Sequence, residues 1–148
     1  RAEELCEGKY PETRRLRGIR GVGPVTSLGF VLTLEDPARY RSSRTIGAFL
    51  GLTPRRDQSG ETDKQLHITK AGNGYMRKLL VTSANYILGP FGADCDLRRF
   101  GERLQRRGGK NARKRAKVAV ARKLAVLMHS MWLKGTEYQP LGYGTRAS

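Results

Sequence analysis

One stretch limits the fold more than any other. From Ala112 to Leu133 the sequence keeps a helical period over about six turns, with Ala116, Val120, Leu124, Leu127 and Met131 on one face. A helix that long and that one-sided needs other helices to cover it. The remaining pieces suit that purpose. Met76, Leu79, Leu80, Ser83, Ala84 and Ile87 recur on one side of a helix expected after Asn73 and stopped by LGPFG. Leu97, Phe100 and Leu104 mark another, which RRGGK ends. Ser43 is expected to cap a short helix that buries Ile46, Phe49 and Leu50 and ends at a left-handed Gly51. Glu3 to Leu16 reads as a further helix, weakened by Gly8 and Pro11. From Thr53 to Thr69 the period is lost, which predicts an irregular loop or short β-hairpin around Ser59. The expected class is therefore a mainly α domain.

In LRGIRGVGPVTSLGFVL, Gly21 and Gly23 allow a tight turn, Pro24 suits a first helical position, and Val25, Leu28 and Leu32 form an apolar face. The apolar-x-Gly-apolar-Gly pattern is like a helix-hairpin-helix, in which the turn offers backbone N–H groups to a DNA phosphate. An ordinary helix–helix corner fits the same residues, and both readings stay open.

Charge narrows the partners. Twenty-nine Lys and Arg stand against 13 Asp and Glu, a net charge of +16 in 148 residues. Such an excess suits a polyanion, because each neutralised phosphate releases condensed counterions. Twelve of the cations fall between Arg98 and Lys123, opposed only by Glu102. Arg106, Arg107, Arg113 and Lys117 are the contacts expected to grip a nucleic-acid backbone, giving affinity with little sequence reading. No apolar run is long enough for a bilayer, and no membrane partner is expected. Cys6 and Cys95 lack CxxC spacing and read as reduced thiols of a cytoplasmic protein. With only His67 and His129 beside them, no metal site is expected. The chain opens on Arg1, which suggests a piece of a longer protein.

A serine hydroxyl needs a base or a strongly electropositive site to act as a nucleophile. Ser59 has Arg55 and Arg56 just upstream, Lys70 downstream, and Arg77 at the start of the next helix. Were the loop to fold back, these cations and the helix N-terminus would converge on one phosphate and stabilise a pentacovalent transition state. No Ser–His–Asp set accompanies it, and spacing alone favours Ser59 as a turn residue over a nucleophile.

The segments IRGVGPVTS, GLTPRRDQSG…ITKAGN…R and KVAVARKLAVLMHSMW resemble the C-terminal transposase domain of the insertion-sequence one-ten family, over roughly Leu16 to Lys134. The resemblance implies residues 1–15 as the end of an upstream connecting helix, 16–135 as the serine-bearing domain and 136–148 as a tail. It implies DNA recombination in which the serine before glycine, Ser59 here, attacks DNA and becomes covalently linked to it. It further implies an upstream RuvC-like domain whose DEDD acidic set binds a divalent metal such as magnesium, a structured guide (bridge) RNA as partner, and a homo-oligomer. That acidic set has no counterpart here, so a fragment inactive alone is expected, acting in a prokaryotic nucleoid. A non-catalytic DNA- or RNA-binding module and a protein–protein assembly domain are the competing readings.

Overall fold

The computed structural model describes residues 4, 8–40, 42–52 and 70–142, with backbone only at 44 and 70–73. Its helices are α1 (Thr13–Leu16), α2 (Pro24–Leu34), α3 (Arg44–Phe49), α4 (Lys70–Leu88), α5 (Asp96–Arg106) and α6 (Ala112–Lys134). A 3-10 turn, Pro37–Arg39, links α2 to α3, and no strand occurs among the described residues. The mainly α expectation holds. The expected loop or hairpin from Thr53 to Thr69 lies outside the described residues.

The C-terminal helix is the spine. It touches α1, α3, α4, α5 and the 3-10 turn, while α2 lies against α4 and α1. Val120, Ala121, Leu124, Ala125, Met128 and Met131 are buried along it, so its second half is enclosed on more than one side. Against it stand Leu16, Ile46, Leu50, Met76, Leu80, Ala84 and Leu97 from the surrounding elements. Its boundaries match the sequence pattern to within a residue, because Gly135 takes a left-handed φ of 68° and stops it.

Four expectations need correction. Glu4 and Gly8 are helical, but Lys9 to Glu12 are not, so the helix expected from Glu3 to Leu16 is interrupted before Pro11 and helix resumes only as the single turn Thr13–Leu16. In α2 the buried face is Leu28, Phe30, Val31 and Leu34, whereas Val25 and Leu32 are each 49% exposed. PVTSLGFVLTL has no polar side, so periodicity could not choose its rotation. Helix α4 starts at Lys70 and runs through Gly74. Burial of Met76, Leu80, Ala84 and Ile87 outweighs a helical glycine's cost of about 1 kcal/mol. Ser43 precedes α3 but makes no capping bond. Its hydroxyl lies 2.9 Å from Nδ1 of the fully buried His129.

That histidine joins three elements. Its Nε2 stands 2.8 Å from the Pro37 carbonyl oxygen, which can only accept, so Nε2 carries a proton. Nδ1 shares the second hydrogen bond with the Ser43 hydroxyl. Tyr40 meets the ring edge-on at 5.9 Å between centroids. The 3-10 turn and the start of α3 are thereby fixed on α6.

Helices α5 and α6 approach closely at the buried Gly101. A Cβ there would stand 2.5 Å from Leu88 Cδ2 and 2.8 Å from Val120 Cγ2. After α6 the chain returns to the start of α5, where Asp96 N–H donates to the Pro140 carbonyl at 2.8 Å and Gly142 N–H to Asp96 Oδ2 at 2.8 Å. Burial first, and then the neighbouring Cys95, push the Tyr138 hydroxyl well above its ordinary pKa.

Gly101→Ala tests the close approach. Helix propensity alone would favour alanine by about 1 kcal/mol. Overpacking against the stiff Val120 costs about 1–3 kcal/mol and should win. Urea unfolding should show a net loss of about 1–2 kcal/mol. A variant more stable than the parent would mean that α5 and α6 have room at this crossing.

Candidate nucleic-acid interface

The residues RRGGKN connect α5 to α6 in a loop of unusual backbone. Gly108 and Gly109 take φ of 72° and 92°, and Asn111, directly before α6, takes 62°. Glycine meets the first two at no steric cost, and asparagine tolerates the third. Arg115 reaches back from the first turn of α6 and braces the loop. Its Nη1 donates to the Lys110 carbonyl at 2.8 Å and its Nη2 to the Gly108 carbonyl at 3.1 Å. The loop thus holds α5 and α6 as a stiff hairpin whose tip is cationic.

The twelve cations from Arg98 to Lys123 separate into two groups. Arg98 Nη1 donates to the carbonyls of Ile87 at 2.8 Å and Gly89 at 2.6 Å, satisfying acceptors at the end of α4 that the helix itself leaves open. Arg99 forms a two-pronged pair with Asp94 at 2.8 and 2.7 Å, which holds that carboxyl below its ordinary pKa. Arg115 braces the loop, and Lys123 Nζ sits 4.3 Å over the Phe100 ring. These four serve the fold. Arg103, Arg106, Arg107, Lys110, Arg113 and Lys114 are exposed, while Lys117 and Arg122 are half-buried. Of these, Arg106 and Arg113 meet across a cleft of about 520 Å³ lined also by Glu102, Gln105 and Ala112. The structure brings together the expected Arg106, Arg107, Arg113 and Lys117 on one hairpin. Arg103, Lys114 and Arg122 join them there. The same charge run contained them, but spacing alone did not single them out.

The glycine turn before α2 is divided in its commitments. Gly21 has φ of 102°, and a Cβ there would stand 3.1 Å from Tyr86 Cδ1 and 3.4 Å from the Ser83 carbonyl oxygen. It is turned onto α4. Gly23, the residue before Pro24, has an extended backbone and open space where a side chain would be. A full two-helix hairpin is not what the described residues present, since α1 is one turn long.

Ser59, Arg55, Arg56 and His67 lie outside the described residues, and Lys70 is described only as the first helical residue of α4. Arg77, expected on a phosphate, donates from Nη1 to the Leu50 carbonyl at 3.3 Å and so ties α4 to the end of α3. The short helix does end at a left-handed Gly51, with φ of 70°. Leu52, the last described residue before the serine segment, is buried and donates its N–H to the Gly47 carbonyl at 2.8 Å. The segment thus leaves from a pinned point. Among the described residues, no three His, Cys, Asp or Glu side chains gather to hold a metal, and no helix is long and apolar enough to cross a membrane.

Comparison with known proteins adds to this geometry. Residues 13–90 match the family described as Transposase IS116/IS110/IS902 family. The transposase for insertion sequence element IS1111A of Coxiella burnetii is 32% identical over 129 residues, 86% of this chain and 35% of that protein. A probable family 20 transposase of Pseudomonas aeruginosa is 29% identical over 128 residues, 86% of this chain and 37% of its own. The pilin gene-inverting protein of Moraxella lacunata is 26% identical over 117 residues, 78% of this chain and 35% of its own. The chain thus spans little more than a third of the length of these relatives. No solved structure matches it.

The division of the cations can be tested. Changing Arg106, Arg107, Arg113 and Lys117 to glutamine should lower DNA affinity and reduce the slope of log affinity against log salt by about 0.9 for each phosphate left without its cation. Arg98→Gln should leave that slope unchanged and cost about 1–3 kcal/mol in unfolding, because it orphans carbonyls at the end of α4. A salt slope that moves with Arg98 but not with the other four would reverse the assignment.

Proposed function

Because the chain belongs to the Transposase IS116/IS110/IS902 family, we propose that it is the serine-bearing part of a DNA transposase, with Ser59 as the nucleophile of strand exchange. The observation that carries this reading is that the family match at 13–90 runs through Ser59 and through Arg55, Arg56, Lys70 and Arg77. The names of the relatives, two transposases and a pilin gene-inverting protein, are consistent with a DNA substrate.

In the proposed step the Ser59 oxygen attacks a DNA phosphorus. An Oγ–P bond forms and the P–O bond to one deoxyribose breaks. The serine proton leaves to a base or solvent, and the departing sugar oxygen takes up a proton. Phosphodiester count is conserved, so the same exchange run backwards on a new strand rejoins the DNA without an outside energy source. Arg55 and Arg56 would hold the non-bridging oxygens, where guanidinium forks bind two at once and oppose the added charge of the transition state. In this reading a divalent ion is held by the acidic set of the upstream domain.

A structured guide RNA is a second proposed partner, gripped through its phosphates by the same free cations of the α5–α6 hairpin. Assembly as a homo-oligomer, dependence on an upstream acidic domain and action in a prokaryotic cytoplasm belong to the same reading. The cationic hairpin also suits a purely binding module, in which Ser59 would only shape a turn.

A denaturing gel separates the two. In the full-length transposase containing this chain, supplied with its RNA and divalent metal, labelled DNA should form a covalent adduct that maps to Ser59. Ser59→Ala should abolish the adduct and strand exchange while leaving affinity within about twofold, since only a hydroxyl oxygen is removed. Arg55→Ala or Arg56→Ala should lower both affinity and rate. Recombination by Ser59→Ala at the parental rate would leave the binding module as the better account.

A further inference from the structure

A second depression on the α5–α6 hairpin differs in kind from the Arg106–Arg113 cleft. It is a groove of about 650 Å³ with an aliphatic floor and a basic rim. Leu52 and Leu104 form part of the floor, and Val118 of α6 remains 41% exposed within it. The rim carries Arg107, Lys114, Arg115 and Arg122, and no Asp or Glu lines the groove among the described residues.

We propose that this groove holds a single, unpaired strand of DNA, with a base against Val118 and phosphates against Lys114 and Arg122. The inference rests on the transposase reading, since strand exchange separates strands. It adds to that reading a place for one of them.

Spacing supports it. Lys114, Val118 and Arg122 follow one another at four-residue intervals, so cation, aliphatic group and cation alternate along about 12 Å of one helix face. Duplex DNA would use the cations but not the floor, because its bases are hidden in the stack. An unpaired strand offers both a charged backbone and base faces that gain by leaving water. Arg115 is already held by the Gly108 and Lys110 carbonyls, so part of the rim is ordered before any ligand arrives. Among the described residues no aromatic ring lines the groove, so these residues cannot stack a particular base and their grip should be indifferent to sequence.

Fluorescence anisotropy of this chain with labelled oligothymidine, a duplex of equal length and oligouridine tests the proposal. Oligothymidine should bind more tightly than either of the others. Val118→Asp should weaken it about tenfold by placing a carboxylate between the two phosphate positions, and Val118→Ala about threefold by trimming the aliphatic surface alone. Arg14→Gln and Arg20→Gln, exposed cations outside the groove, should each change it less than about twofold. Circular dichroism should show each variant folded, and Val118→Ala keeps the test decisive if Val118→Asp is not. The proposal is overturned if the wild type binds no oligothymidine, if both Val118 variants bind it normally, or if duplex or oligouridine binds more tightly. Normal binding by both variants beside an intact Ser59 adduct would sink the groove alone. A missing adduct with the expected groove effects would sink the serine reading alone.

Discussion

A 23-residue helix that is basic in its first turns and apolar in its last must pass from water into a core along its own length. That constraint organises the rest of the domain. From Val120 to Met131 the helix is wrapped by α1, α3, α4 and the 3-10 turn, and several of its packing residues are alanines that let neighbours come near. Between Ala112 and Lys117, Ala116 is the one buried residue. There α5 runs alongside, held close by Gly101 and by the Arg115-braced loop. The cationic hairpin is therefore what remains of two helices once the core has ended.

The buried half also fixes the elements that flank the serine segment in sequence. His129 shares a hydrogen bond with Ser43 and donates to the Pro37 carbonyl, which sets α3 on the spine. Arg77 joins the end of α3 to α4 through the Leu50 carbonyl. Leu52 and Lys70, which flank the serine segment in sequence, therefore belong to parts of the chain that are tied to each other. The cation that was expected on a phosphate makes this tie, a use consistent with its place in the family-matched block.

How much of this was legible depended on the kind of information each feature carries. The ends of α6 and the buried face of α4 follow from local periodicity, and both were readable. The rotation of α2 was not, because a helix apolar on all sides has no preferred face until α4 and α1 choose one. The Ser43–His129 bond joins residues 86 apart, beyond any local pattern, and a capping role looked adequate for the serine. Ser59 stands out only through family resemblance, since its residue type and spacing by themselves favour a turn.

The charge run shows why counting cations overstates an interface. A guanidinium has several donors in a fixed fork, so it can close a helix end or a loop as readily as it binds a phosphate. Arg98 and Arg115 make two or more bonds to backbone carbonyls, and carbonyls bind cations without neutralising them. Each of these arginines therefore still adds to the positive field around the hairpin. What it cannot do is release its carbonyls to follow a phosphate without loosening the fold. In the proposed nucleic-acid interface, long-range attraction would thus belong to the whole run, and contact to the cations on the two grooved sides of the hairpin that are not held by carbonyls. The domain meets its demand for rigidity and its demand for charge with the same residue type, sorted by which carbonyls lie within reach.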